Sequence, residues 1–224
     1  MIKRFLLSTL ILVVVFELAA QQYGSFKDPR DGRIYKTVKI GTQVWMAENL
    51  NVDRFRNGDM IPEAKTDEQW QLARDNKQPA WSYYDNDPAN GLKYGKLYNW
   101  YAVNDPRGLV PTGWHVPTED EWLTLTDFLR VGSITGNKMK SVTGWAPNAK
   151  HFKGTNSSGF SGLPGGTRAS IGTFEKVRLQ GNWWSSTERY TDAAWYHYLG
   201  SATSSALTFW AYKGFGFSVR CIKD

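Results

Sequence analysis

The sequence is poor in cysteine, which sets a first limit on how the folded chain is stabilised. Cys221 is the only cysteine among 224 residues, so no intramolecular disulfide can form. The 11 Trp, 11 Tyr and 11 Phe residues offer another source of stability, since each large ring buries much apolar area. We therefore expect a globular domain that is held by its core and carries long, packed loops.

Long hydrophobic runs are also missing, so the pattern excludes a membrane-spanning helix. The longest mostly apolar run, residues 5–16, is well short of the roughly 20 residues that cross a bilayer. Lys3 and Arg4 precede this run and Leu18-Ala19-Ala20 follow it, as in a secretory signal peptide. No cysteine follows the run, which excludes a lipoprotein anchor at that site. We expect a signal peptide over residues 1–20, a short tether over residues 21–27 and one domain over residues 28–224.

Clusters of basic residues are absent as well. The formal net charge of +6 is compatible with nucleic acid or an anionic surface as a partner. The Lys and Arg residues are scattered, however, with no run of four or more, so solvated surface charge explains them better. Export from the cytosol further disfavours nucleic acid, and we expect no nucleic-acid partner.

Sequence motifs for catalysis or metal binding are not found. His115, His151 and His197 are too widely spaced to form a metal motif, and no Gly-x-Ser-x-Gly elbow is present. The stretch DNDPANG, residues 85–91, is rich in oxygen ligands, but its spacing differs by one residue from an EF-hand loop and no Glu closes it. We expect turn formation by Asx side chains there, with calcium as the alternative. No catalytic residue, metal ligand or other cofactor is predicted.

The clearest local pattern is a helix start in GWHVPTEDEWLTL, residues 113–125. Thr118 is placed as an N-cap, and Glu121 three residues later completes a capping box. The three acids of residues 119–121 face the positive end of the helix dipole, so capping explains them better than metal binding or acid–base catalysis. Apolar residues at helical spacing then predict one buried face: Trp122, Leu125, Phe128 and Leu129.

The remaining patterns predict a single α+β domain. A second capping box, Thr66 with Gln69, predicts a short helix over residues 66–76 with Trp70 pointing inward. Alternating residues predict two N-terminal strands, and the last third is predicted to be antiparallel sheet. Its segments are residues 160–163, 177–179, 183–186, 194–199, 207–212 and 215–222. Alternation in the last segment places Cys221 inward, as a small buried hydrophobe.

Six sequence blocks resemble, in this order, the Fibrobacter succinogenes major paralogous domain family: DGRIYKTVKIGTQVWMAENLN, YGKLYNWYAV, PTGWHVPTEDEW, GFSGLPGGTR, WWSST and FSVRCIKD. The resemblance spans residues 28–224 and implies a secreted bacterial protein. More distantly, VPTEDEW, GGTR, WWSST and GFSVRC resemble the formylglycine-generating-enzyme type of C-type-lectin-like fold, although His115 stands where that family has arginine. This likeness implies one lectin-like domain with a twisted antiparallel sheet, two helices, paired N- and C-terminal strands and long ligand-presenting loops.

The distant resemblance implies a binding face rather than an active site. Formylglycine-generating enzymes hold copper with a pair of cysteines, and this chain has only Cys221, so their activity is not implied. In lectin-like folds of this type, the stretch that corresponds to residues 184–216 presents the ligand. We predict a ligand-binding face made of Glu188, Arg189, Tyr190, Trp195, His197, Tyr198, Trp210 and Tyr212. The alternative for each of these rings is a place in the sheet core.

We therefore expect an exported, non-enzymatic, lectin-like protein that binds a carbohydrate or a protein ligand at the cell envelope. Its location is the periplasm, the cell surface or the exterior. The alternatives are an enzyme of unknown class on the same fold and a structural surface protein. An exposed face of aromatic and polar side chains favours the binding protein.

Overall fold

The computed structural model describes residues 21–130, 133–147 and 152–224, so the predicted signal peptide lies outside the described residues. Within them, the chain is an α+β domain with several antiparallel sheets and short helices. The strands are β1 (Tyr23–Lys27), β2 (Ile34–Ile40), β3 (Gln43–Met46), β4 (Trp81–Ser82), β5 (Leu97–Tyr98), β6 (Trp114–His115), β7 (Thr167–Arg168), β8 (Phe174–Glu175), β9 (Gln180–Tyr190), β10 (Ala193–Gly200), β11 (Ala206–Tyr212) and β12 (Ile222–Lys223). The helices are α1 (Asp67–Asp75), α2 (Pro88–Tyr94), α3 (Trp100–Val103), α4 (Glu119–Leu129) and α5 (Thr135–Met139), and a 3-10 turn covers Tyr84–Asn86.

A five-stranded sheet in the order β1-β2-β3-β12-β6 combines the start of the domain with its end. Ile222 of β12 lies opposite Trp45 of β3 and His115 of β6, so the C-terminal strand closes the sheet between them. Strand β1 pairs antiparallel with β2 along its whole length. This corrects the prediction of a tether over residues 21–27. The segment is ordered because its backbone groups hydrogen-bond to the edge of β2.

A three-stranded antiparallel sheet in the order β11-β10-β9 forms most of the last third. In its centre, Trp195 lies opposite Trp210 and Tyr196 lies opposite Phe209. Because directly opposed residues share a face and neighbours alternate, these two pairs lie on opposite faces of the sheet. Two shorter sheets, β4-β5 and β7-β8, are also present. The described residues therefore form several sheets rather than the single sheet expected.

Three of the predicted strands are irregular in the structure. Residues 160–163 and 177–179 lie in no strand, and of residues 215–222 only Ile222 belongs to β12. Isolated bridges instead link residues 216–218 to three separate parts of the chain: Arg168, Tyr98 and Trp183. This segment crosses between sheets, so its hydrogen bonds go to different partners and no continuous strand forms along it.

Both helices predicted from capping boxes are present, as α1 and α4. The Thr66 hydroxyl accepts from the backbone N–H of Gln69, and the Gln69 side chain accepts from that of Thr66. Thr118 and Glu121 make the same reciprocal pair at the start of α4. Since α2, α3 and α5 also occur in the described part of the chain, the expected number of two helices was too low. No helix of that part is long and apolar enough to cross a membrane.

Helix α4 packs one face into a core cluster that also contains Trp45 and Trp183. Trp122 is fully buried and its ring centroid lies 4.8 Å from that of Trp45. Phe128 was predicted on this face but is 62% exposed. At 3.6 residues per turn, Phe128 lies about 120° around the helix from Trp122, outside the buried stripe. Its ring instead packs over Gly41, in the turn between β2 and β3.

Buried cations join loops that no disulfide connects. Lys140, Arg168 and Arg220 have no exposed surface. Their side-chain nitrogens donate to backbone carbonyls of separate segments: Lys140 to Phe152, Gly200 and Thr203; Arg168 to Ala64, Thr66 and Gly172; Arg220 to Met46 and Phe160. Each cation thus joins segments that are distant in sequence through hydrogen bonds to backbone carbonyls.

Candidate functional site

The predicted ligand face lies on the three-stranded sheet, and α4 covers one half of it. Trp122 of α4 stacks on His197 of β10 with ring centroids 4.4 Å apart. Nearby, the Thr187 hydroxyl of β9 accepts a bond of 2.9 Å from the backbone N–H of Glu119. These contacts cover the half of the face around His197. The half near Tyr190 and the end of β11 lies beyond them.

The uncovered half carries a group of side chains that we call the aromatic cluster: Arg189, Tyr190, Trp195, Trp210 and Tyr212. Tyr190, Trp210 and Tyr212 are 49%, 46% and 53% exposed. The ring of Trp210 meets both tyrosines edge-on, at centroid distances of 5.7 and 6.1 Å. The cluster is therefore one continuous surface built from all three strands, and five of the eight predicted residues belong to it.

Arg189 is held inside the cluster by two rings. Its Cζ atom lies 4.8 Å from the ring centroid of Tyr190 and 4.8 Å from that of Trp195. Both distances are within the range of cation–π attraction. Within the described part of the chain, the Arg189 guanidinium makes no ion pair. The rings therefore hold the Arg189 guanidinium in position. Its N–H groups can still donate hydrogen bonds to a ligand.

Glu188, the acidic residue predicted for the face, already has a partner. Its carboxylate lies 3.1 Å from Nζ of Lys213. Lys213 is buried, donates to the carbonyl of Thr191 at 2.8 Å and lies over the ring of Trp100 at 4.5 Å. Glu188 thus balances a buried ammonium at the edge of the aromatic cluster.

Besides Glu188, two further predicted residues lie outside the aromatic cluster. His197 shares the face of Trp195 but is buried, which corrects the expectation that it is exposed. Its Nε2 atom lies 2.9 Å from the Glu119 carboxylate and its Nδ1 atom 3.3 Å from the Thr208 hydroxyl. Tyr198 is on the opposite face of the sheet, because adjacent residues of a strand alternate. Neither side chain adds to the exposed surface around Trp210.

The opposite face of the sheet carries rings that the sequence analysis did not single out. Phe209 is 44% exposed, and its centroid lies 6.0 Å from that of Tyr196 and 5.9 Å from that of Tyr198. A cavity of about 410 Å³ is lined by these three rings and by Leu207. The signal was present in the sequence, since period-two alternation in ALTFWAY places Phe209 opposite to Trp210.

The side chain of His115, outside the predicted face, makes local contacts with two carboxylates. His115 lies between two carboxylates, with Nδ1 2.6 Å from Asp224 and Nε2 2.7 Å from Glu121. Partial burial opposes the charged form, but the two carboxylates outweigh it and raise the pKa of His115.

In the 85–91 stretch, the Asp87 side chain accepts from the backbone N–H of Ala89, as in an Asx turn. No group of three or more His, Cys, Asp or Glu side chains is placed to hold a metal among the residues described; His151 lies outside them.

Together these observations define an α+β domain that presents exposed rings on its C-terminal sheet. The chain matches the model of the Fibrobacter succinogenes major domain over residues 38–223. Because the match covers most of the chain, the chain belongs to this family. No curated protein and no solved structure matches it.

Proposed function

We propose that this chain is an exported, non-enzymatic, lectin-like protein that binds a carbohydrate or protein ligand through the aromatic cluster. The observation that carries the proposal is the continuous exposed surface of Tyr190, Trp210 and Tyr212. Large rings bury much area and keep a polar group, so a contiguous set left exposed is typical of an interaction site.

The contacts inside the aromatic cluster also suit binding. Tyr and Trp side chains have only two torsion angles, so they lose little conformational entropy when a ligand immobilises them. Here Trp210 is already braced by Tyr190 and Tyr212, and Trp195 is braced by Arg189. A preorganised surface of this kind loses less free energy to ordering on binding.

The lectin-like part of the proposal is supported by the positions of the resembling blocks. VPTEDEW forms the capped start of α4, and GFSVRC leads into β12, which pairs with β3 near the start of the domain. The aromatic cluster lies between these blocks in sequence, where lectin-like folds present their ligand.

The sharpest test compares neighbouring rings on the two faces of β11. Trp210 and Phe209 are 46% and 44% exposed, so replacing either with alanine removes a similar exposed ring. After a glycan and protein array has identified a ligand, we expect Trp210→Ala to weaken its binding by about 1–3 kcal/mol, with little change in melting temperature. Phe209→Ala is the matched control and should bind normally. If Phe209→Ala alone weakens binding, the ligand occupies the opposite face; if neither does, the aromatic cluster is not the binding surface.

Export is proposed from the charged start, the apolar run and the small residues before Gln21. Cleavage after Ala20 leaves β1 intact, since this strand begins at Tyr23. Mass measurement of protein recovered from the envelope or medium should give a chain that begins at Gln21. A recovered chain that retains Met1 contradicts cleavage.

A further inference from the structure

We propose that the aromatic cluster recognises a sugar that carries a carboxylate, with Arg189 as the residue that binds the acid. This inference rests on the proposed function, because it specifies the ligand of the same surface. It begins with the position of Arg189, whose guanidinium lies over the rings of Tyr190 and Trp195. The rings reduce the freedom of a side chain that otherwise loses much entropy on binding.

The charges around Arg189 favour an anionic ligand. The adjacent carboxylate of Glu188 is paired with Lys213 at 3.1 Å, so it is not available to neutralise Arg189. Asp192 lies near Tyr101, where its charge adds to burial in raising the pKa of the tyrosine. Within the described residues neither acid forms an ion pair with Arg189. The guanidinium is therefore an uncompensated cation beside exposed rings.

The surface combines a guanidinium with exposed rings, so its ligand needs both an acidic group and an apolar face. A guanidinium binds a carboxylate with two parallel hydrogen bonds. The neighbouring rings of Tyr190, Trp210 and Tyr212 offer flat apolar area, which packs against the apolar face of a sugar ring. An acidic sugar satisfies both components, whereas a neutral sugar uses only the rings and a simple acidic peptide uses only the charge.

A matched pair of polymers tests the role of the carboxylate. Polygalacturonate and its methyl ester have the same sugar backbone but differ in charge. We expect the protein to bind polygalacturonate about tenfold more tightly, the effect of one charge-assisted contact. Added NaCl should reduce this preference, because ions screen exposed charges.

A pair of variants tests the role of Arg189 itself. Arg189→Gln retains a planar, hydrogen-bonding side chain but removes the charge, so binding of polygalacturonate should fall to the level of the ester. Binding of the ester should remain unchanged. Arg178→Gln is the matched control, since Arg178 is exposed just before β9, at the other end of that strand, and the variant has the same net charge. Equal losses in the two variants would overturn a specific role for Arg189.

The remaining outcomes separate this inference from the proposed function. If another glycan binds in a Trp210-dependent way but polygalacturonate binds no more tightly than its methyl ester, recognition of a carboxylate is overturned. The proposed binding function then remains. If poly-glutamate binds as tightly as polygalacturonate, the protein recognises charge alone, and recognition of a sugar is overturned. If no glycan or protein depends on Trp210, both the inference and the proposed function fail.

Discussion

Cys221 lies in the core just before strand β12, with none of its surface exposed. Burial raises the pKa of its thiol to about 12, so the reactive thiolate is scarce at neutral pH. We expect a thiol reagent to leave the native protein unlabelled at pH 7–8 and to label it fully after unfolding in denaturant. Rapid labelling of the native protein would contradict this placement and would support the enzymatic alternative.

The same buried thiol makes stability depend on alkaline pH. Its pKa rises on folding from an ordinary value of 9.0 to about 12, so its contribution is complete below pH 9 and is lost as the pH rises through the folded-state pKa. Between pH 8 and pH 10 this loss is on the order of 1 kcal/mol of unfolding free energy. Urea unfolding at both pH values should show a smaller decline for Cys221→Ala than for the unchanged protein. Equal declines would mean that Cys221 is not buried as described.

At the scale of single elements, α4 depends on its cap and on one ring. The Thr118 hydroxyl satisfies the backbone N–H of Glu121 at 3.3 Å, and its loss in Thr118→Ala should lower the unfolding free energy by about 1 kcal/mol. Trp122 is fully buried against Trp45 and His197, so Trp122→Ala should cost roughly 3–5 kcal/mol.

Phe128 provides a control within the same helix. It is an aromatic residue of α4 that is 62% exposed, so Phe128→Ala should cost much less than Trp122→Ala in denaturant unfolding. A harmless Trp122→Ala, or a larger effect at Phe128, would show that α4 does not pack through the Trp122 stripe.

At the scale of the whole molecule, buried cations connect segments that are distant in sequence. Lys140 Nζ donates to the carbonyls of Phe152, Gly200 and Thr203, which joins the middle of the chain to the turn between β10 and β11. Burial lowers the pKa of Lys140 to about 8. Three backbone carbonyls nevertheless accept hydrogen bonds from its Nζ atom.

Replacing Lys140 with methionine keeps an unbranched side chain of similar length but removes the three hydrogen bonds to these carbonyls. With about 1 kcal/mol for each lost hydrogen bond, we expect Lys140→Met to lower the unfolding free energy by about 3 kcal/mol. Lys138→Met is the control, since Lys138 makes one such bond, to Leu129, and is only partly buried. Hydrogen exchange should also increase at residues 200–203 in Lys140→Met. Similar effects in the two variants would argue against Lys140 as a connection between loops.

The sequence by itself determined the features that depend on near neighbours. Both capping boxes, at Thr66 and Thr118, join residues three positions apart, so their signal is complete within one turn. The family was recognisable from blocks that span the chain. In the aromatic cluster, Tyr190 is flanked by the polar residues Arg189 and Thr191, and its ring is 49% exposed.

Only the tertiary structure decided which predicted surfaces are covered. His197 and Trp195 share one face of β10, but His197 is buried because Trp122, far away in sequence, stacks on it. Residues 23–27, predicted as part of a tether, form strand β1 because the edge of β2 offers hydrogen-bond partners. Residues 216–218 carry a strand pattern, yet their bridges lead to three distant segments. Periodicity in the sequence indicates the direction in which a side chain points from its own strand or helix. Whether that side chain is buried depends on which other parts of the chain pack against it.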